Sequence, residues 1–417
     1  MKKLALNFIC KNESHVIERM LRSVVRITDL IVAVDTGSTD NTIDIIRDFG
    51  AANNIPTYVF ERPFDNFCNS RNYALEMLRD VVIAMSWPPE NTWGFWIDCD
   101  EVMVIAQDFE RSAVDMDIHY VVTKAKAISF TKQLFFRMSM PVSWVGPVHE
   151  YMMCSCDERT EGVIEGIYIL YEEEGASWTG DLVQKFLNYA HKLQDYVKDG
   201  NRAYRWVYYI GESYSAAANQ CRDERQKDLY LKARQYYQDA LGIDPILKEE
   251  RYHLLQRIAD NRYRVGEDWH EVRSDFFAAY SASRIHAEPI VQVAEYYMQK
   301  ERWNTAYLFL QFAYAQYHDH PPSARGLIEA KEVLYKWKIL FLYYYVSARL
   351  LRKKEAWSLY DQLNLIIKEH PDQMDQEMAP VIKYNSPPMI FWQARKELLK
   401  KSIGRLKRKV VPSRLDT

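Results

Sequence analysis

Between residue 3 and about 100, short apolar runs alternate with amphipathic stretches of ten or more residues, the pattern of a sheet whose parallel strands are joined by helices. Strands are predicted at 4–9, 30–34, 57–60 and 93–97, with helices at 14–26, 40–49 and 69–79. A sheet of this kind belongs to nucleotide-binding α/β domains. From about 119 to 170 the chain becomes strand-rich and irregular, with strands expected at 127–138 and 151–155, and closes the same domain.

After Gly180 the pattern changes to long helices rich in Tyr, Ala, Leu and charged residues, with few glycines. Internal repeats are present. A tetratricopeptide-type helix pair needs a small residue facing a large one where its helices approach. Ile210, Gly211, Tyr214, Ala233, Tyr237, Ala240 and Pro245 fit that spacing if the segment between the helices carries ten extra residues, and Ala294, Tyr297, Ala306, Leu310 and Ala313 fit with no insertion. The expected organisation is an α/β domain over 1–180, a helical repeat domain over 181–390 and a basic tail over 391–417. Repeats of this kind serve as docking surfaces or stiff spacers, and tyrosines on a concave face can stack on sugar rings.

Composition narrows the class. With 417 residues, 48% hydrophobic and 27% charged, the chain can bury more than one core, which excludes global disorder. The formal charge of −3 is uneven, because residues 395–417 carry a net +7 and leave −10 for the remainder. A body of that sign is a poor match for nucleic acid, whose phosphates call for surplus Lys and Arg. Membrane contact is expected only through the basic tail. The start, MKKLALNFIC, is interrupted by Asn7 and has no small-residue cleavage site, so no leader is expected. The longest apolar stretch, 339–348, is half the ~20 residues of a membrane span. The expected location is cytoplasmic, with peripheral membrane association through the tail. Six cysteines are few, and the Cys154–Cys156 pair lacks the second pair of a zinc site.

The chemistry-bearing residues cluster at predicted strand ends, where open α/β sheets bind ligands. Lys11, Asn12 and Glu13 follow the first strand, and the DTGSTDNT turn, Asp35 to Thr42, follows the second. Such a turn suits close ligand approach, and Ser38 or Asp40 can equally cap the next helix. NSRN, Asn69 to Asn72, opens a helix and offers Arg71 to a phosphate. In WIDCDE, Asp98 and Asp100 lie one residue apart after an apolar strand; on an extended chain both point to one side and can share a hard cation. WVGPVHE places His149 and Glu150 beside a Gly-Pro turn, a pair suited to general base work.

KNE, VDTGSTDNT, NSRNYAL, WIDCDE and WxGxVHE, in this order and spacing, resemble the family 2 glycosyltransferases of GT-A fold, in the branch that carries tetratricopeptide repeats behind the catalytic domain. The resemblance implies an inverting transfer of a sugar from a nucleotide-diphosphate donor, with a UDP-sugar expected, to a glycan or protein acceptor docked on the repeats. It implies that Asn12, Glu13 and Asp35 hold the nucleoside, that Arg71 lies near the diphosphate, and that the DxD motif binds Mn²⁺ or Mg²⁺. Asp100 is favoured as the direct metal ligand and Asp98 sits nearer the ribose or the ion. Glu150 is the expected general base, with His149 as orienter, base or metal ligand.

This chain departs from the family pattern at two points. Asp35 is followed by Thr36 rather than a second acid, and YILYEEEG lacks the histidine that relatives show after the last strand. Either His149 substitutes, Glu172 to Glu174 help, or fewer protein groups hold the metal. Two other classes share some features. A nucleotidyltransferase needs a Gly-rich basic loop where CKNESH stands, and a non-catalytic repeat scaffold would have no use for the paired acids.

Overall fold

The computed structural model describes residues 2–125, 128–171, 180–243, 246–318, 333–369 and 378–409. They fall into two compact units, one within Met1–Trp269 and the other within His270–Pro322 and Lys331–Thr417. The expected boundary near residue 180 thus lies inside the first unit.

That unit is built on a mixed sheet of order β3-β2-β1-β4-β7-β6-β10-β5. Strands β1 (Lys3–Cys10), β2 (Leu30–Asp35), β3 (Thr57–Glu61) and β4 (Thr92–Trp96) run parallel, as the alternation of runs and helices predicts. The helices between them are α1 (Ile17–Val24), α2 (Thr42–Ala52) and α3 (Phe67–Ala84). Strands β5 (Glu101–Ile105), β6 (Ile118–Ala125), β7 (Ile128–Arg137) and β10 (Glu161–Tyr171) extend the same sheet. β7 pairs antiparallel with β4, so the irregular region does close the domain. A separate hairpin, β8 (Val142–Val145) with β9 (Tyr151–Cys154), carries the GPVHE turn between its strands.

Burial on both faces explains the near-continuous apolar runs of the central strands. Leu4, Leu6, Phe8, Ile31 and Ala33 pack with Ile17, Met20, Leu21 and Ile46 on one face. Ala5, Leu30 and Val32 pack with Leu75, Leu78 and Val82 of α3 on the other. α1 starts three residues later than the pattern predicts, because Glu13 to Val16 form a turn in which the Glu13 carbonyl accepts from Val16 and Ile17 N–H.

The first unit continues with α4 (Leu182–Lys198), α5 (Tyr204–Gln220), α6 (Arg225–Leu241) and α7 (Lys248–Arg264), each packed on the next. The repeat residues sit where the tetratricopeptide spacing puts them: Ile210, Gly211, Tyr214, Ala233, Tyr237 and Ala240 are all buried. A Cβ on Gly211 would lie 2.6 Å from the Tyr237 ring, which is why a glycine stands there. The ten extra residues are not a loop. Only Cys221 to Glu224 separate the helices, and the surplus lengthens α5 beyond Tyr214 and α6 ahead of Ala233.

The second unit contains α8 (Trp269–Ala282), α9 (Glu288–Gln299), α10 (Trp303–Tyr317), α11 (Ile339–Arg349), α12 (Lys353–Glu369), α13 (Met378–Tyr384) and α14 (Pro387–Lys409). Ala294, Tyr297, Ala306, Leu310 and Ala313 are buried between α9 and α10. Among the described residues no helix is long and apolar enough to cross a membrane. Ala127, Glu172 to Glu174, Pro245 and the tail from 410 onward lie outside the described residues. All six cysteines are free thiols.

Candidate active site

The paired register of Cys10 with Asp35 brings the ends of β1 and β2 side by side, so the two loops that follow them interlock. Asn12 adopts a left-handed backbone (φ 56°), a conformation Asn tolerates better than most residues. Its Oδ1 accepts from Thr39 N at 2.7 Å and its backbone N–H donates to Ser38 Oγ at 2.9 Å. Glu13 N–H donates to Thr42 Oγ1 at 2.8 Å, and Ser14 N–H to Asp40 Oδ2 at 3.1 Å. Burial works against the Asp40 carboxylate, but hydrogen bonds from Thr42 and Ser14 outweigh it and hold its pKa down at about 2.

Asp35 is buried, and its carboxylate accepts from the backbone N–H of Gly37 at 2.9 Å and of Ser38 at 2.8 Å, and from the Ser38 hydroxyl. It shapes the turn from beneath. Lys11, Asn12, Glu13 and Thr36 are the members of these loops that line a cavity of about 460 Å³, together with Asp98 and Asp100.

Arg71 is the centre of the site. Asn66 caps α3 by accepting from Asn69 N–H at 2.8 Å, which sets the first helical turn and aims Arg71 inward. Its guanidinium lies 4.9 Å from the ring centroids of both Trp96 and Trp144. Nε donates to Glu150 Oε1 at 2.8 Å and Nη2 to Asp98 Oδ1 at 2.6 Å. Burial alone would lower the arginine pKa; the Asp98 and Glu150 charges more than reverse it and keep the side chain cationic. Asn72, the last residue of NSRN, ties the helix to the hairpin: its Nδ2 donates to the Trp144 carbonyl at 2.9 Å, and Trp144 N–H returns a bond to Oδ1 at 2.8 Å.

The DxD pair is not extended. The chain leaves β4 after Trp96 and turns, with Glu101 N–H donating to the Asp98 carbonyl at 3.1 Å. The same-side geometry expected of an extended pair is therefore replaced by a turn, which still leaves both acids on one cavity. Burial raises the Asp98 pKa, but Arg71 and Lys132 prevail and hold it below the usual carboxylate value. Glu101, the next acid, accepts from Lys132 Nζ, and its Oε2 accepts from Asp98 N–H at 3.0 Å. Lys132 in turn lies 4.3 Å from the Trp96 ring.

Two carboxylates on one cavity are a chemically suitable oxygen donor set for a hard cation such as Mg²⁺ or Mn²⁺. Among the described residues no group of three His, Cys, Asp or Glu side chains is gathered to hold an ion. His149 lines a cavity with Asp98 but not with Asp100.

The turn carrying His149 and Glu150 is anchored by the helices that follow. A Cβ on Gly146 (φ 105°) would stand 2.3 Å from the Trp206 ring of α5, so the glycine is needed for both its backbone and its lack of a side chain. His149 has a left-handed backbone (φ 53°), stacks on Tyr209 at 4.3 Å and accepts through its carbonyl from Arg205 Nη2 at 3.0 Å. Burial, then the charges of Arg205 and Lys185, push its pKa down to about 4, so the imidazole is neutral at pH 7. Glu150 Oε1 is engaged by Arg71, while Oε2 has no hydrogen bond among the described residues. Both residues line a second cavity of about 940 Å³, whose far wall is Tyr189, Arg205 and Tyr209. Phe67, Arg71, Asp98 and Tyr171 line both cavities, so the two meet there.

Motif reading therefore found Arg71, Asp98, Asp100, His149 and Glu150 as neighbours on two adjoining cavities. It missed Lys132 and Glu101, whose signal is a lysine inside the apolar strand FTKQLFF and an acid directly after the DxD. It also missed Tyr189, Arg205 and Tyr209, which come from the helical half and carry no local motif.

Residues 8–102 match the sequence model of glycosyl transferase family 2. An uncharacterized glycosyltransferase of Rickettsia prowazekii is 34% identical over 101 residues, 24% of this chain and 29% of that relative. One of Rickettsia typhi is 33% identical over 101 residues, with the same shares. The match thus spans 29% of the length of these relatives. Among solved structures, S. aureus TarS 1-349 in complex with UDP-GlcNAc is 12% identical, covering 64% of this chain and 93% of that chain with a TM-score of 0.34. Pseudomonas aeruginosa pilF is 13% identical, covering 46% and 90% with a TM-score of 0.26. At such scores neither likeness bears on the site. The stretch from β1 to the start of β5 is thus similar to glycosyl transferase family 2, and it lies in an α/β domain that is followed by helical hairpins.

Proposed function

We propose that the protein is an inverting glycosyltransferase: the smaller cavity takes a nucleotide-diphosphate sugar, with a UDP-sugar as the expected donor, and the larger takes a glycan or protein acceptor. One observation carries the reading. Arg71 joins Asp98 to Glu150 where the two cavities meet, placing an acid suited to the donor side and an acid suited to the acceptor side on one buried cation.

Glu150 acts as general base through Oε2, taking the proton of the acceptor hydroxyl as that oxygen bonds to the anomeric carbon and the bond from that carbon to the diphosphate breaks. His149, neutral and stacked on Tyr209, orients the acceptor rather than competing for its proton. Asn12, Glu13 and Thr36 hold the nucleoside, with Asp35 fixing their turn. Asp98 and Asp100 would hold a Mn²⁺ or Mg²⁺ ion, which when bound neutralises charge on the leaving diphosphate. Arg71 keeps positive charge at the divide and Lys132 holds Glu101 in its buried position.

The test is to incubate the full chain with Mn²⁺ and a panel of nucleotide sugars. Metal-dependent release of free nucleoside diphosphate supports the reading. Silence with every donor, together with no donor binding by calorimetry, would sink it and leave the helical hairpins as a binding module.

A further inference from the structure

We propose that the larger cavity admits a saccharide bearing an anionic group, carboxylate or phosphate, and that Arg205 of α5 is the residue that recognises that group. This rests on reading the cavity as the acceptor side.

Among the described residues, every cation lining the cavity has a carboxylate partner except one. Arg71 serves Asp98 and Glu150, Lys132 serves Glu101, and Arg159 pairs with Glu161 at 3.0 Å. Arg205 has no carboxylate partner among the described residues. Its guanidinium lies 4.7 Å from the Tyr151 ring and 4.8 Å from the Tyr209 ring. Nη2 is spent on the His149 carbonyl, and Nε is buried without an acceptor. Buried polar groups almost always find partners, and a half-buried cation without a counter-charge is costly to keep. Nη1 remains to make a charge-assisted hydrogen bond to an oxygen of a carboxylate or phosphate.

The surroundings favour such a group. Asp98 and Glu150, the acids that would repel it, are both bonded to Arg71, which offsets one of their two charges. The stacked His149 and Tyr209 rings give the flat apolar face on which a sugar ring can rest while its anionic group reaches the guanidinium.

The experiment uses the full chain with UDP and Mn²⁺ present and measures, by calorimetry, the binding of three probes: glucose, glucuronic acid and glucose 6-phosphate. The expected result is that at least one anionic probe binds about tenfold more tightly than glucose, as one charge-assisted contact allows. Arg205→Gln should bring that ratio close to one. The probe that gains tells carboxylate from phosphate. Equal binding of all three, no binding of any, or an Arg205→Gln protein that keeps the preference with an unchanged melting curve overturns the proposal. Should Arg205→Gln melt far below the wild type, Arg205→Lys replaces it and is expected to keep only part of the preference; full retention counts against the assignment. UDP binding by the wild type is read separately. If UDP fails to bind while the anionic preference stands, the donor reading falls and the anion site survives; if UDP binds and the sugars are not distinguished, only the Arg205 assignment falls.

Discussion

Arg71 Nη2 meets Asp98 Oδ1 at 2.6 Å while Arg71 Nε meets Glu150 Oε1 at 2.8 Å, so one guanidinium holds two acids from segments about fifty residues apart in sequence. Removing it strands both. Arg71→Met should destabilise the first unit by about 3 kcal/mol, the usual scale for leaving buried charges uncompensated. Urea unfolding checks the loss, and Arg71→Lys should recover part of it while losing the forked geometry.

Glu150→Gln preserves shape and the contact to Arg71 but removes the proton acceptor. Transfer to an acceptor should fall by about 10² to 10⁴-fold. Calorimetry with UDP should show nucleotide affinity close to that of the wild type. A large loss of UDP affinity instead would assign Glu150 to donor binding.

Asp100→Asn should lower turnover by roughly 10²-fold, the scale of losing a charge-stabilising group. A Mn²⁺ titration of UDP binding distinguishes causes. The wild type should show metal-enhanced affinity that the variant lacks; the same enhancement in both would remove Asp100 from the ion.

The pH dependence of stability follows from His149. Its pKa falls from the ordinary 6.5 to about 4 on folding, so between those values the unfolded chain holds the proton and the folded one does not. Stability is therefore complete above pH 6.5 and declines as pH drops toward 4, by about 1–3 kcal/mol from this group. His149→Asn suits the left-handed backbone and does not titrate. Denaturant unfolding of wild type and variant at pH 7 and 4.5 should show a smaller acid loss in the variant.

Gly146→Ala should cost about 1–3 kcal/mol, because its Cβ would stand 2.3 Å from the Trp206 ring at a backbone angle that disfavours side chains. The companion change Trp206→Leu should relieve much of the penalty. Thermal melts of the single and double variants measure the coupling.

The fold was legible where physics is local. Strands β1 to β4 follow from apolar runs that must be buried on both faces, and the Gly211–Tyr237 approach follows from small-large spacing. β5 was hidden because it begins at Glu101, an acid whose burial depends on Lys132, thirty-one residues away. The clustering of Arg71 with Asp98 and Glu150 was foreseeable only as motifs sharing a sheet edge. The wall of Tyr189, Arg205 and Tyr209 was not, since nothing local marks a helical tyrosine as facing a cavity rather than a core. The extended DxD geometry failed for a related reason: the Glu101 N–H to Asp98 carbonyl bond, which closes the turn, has no signature in the letters DCDE.

The seating of Gly146 against Trp206 means that the loop bearing His149 and Glu150 borrows its rigidity from α5. The sheet domain is accordingly not a self-sufficient cassette. Grafting it onto another helical partner, or trimming the chain near residue 180, would free the proton acceptor from its brace, so the sheet and α5 must be inherited together.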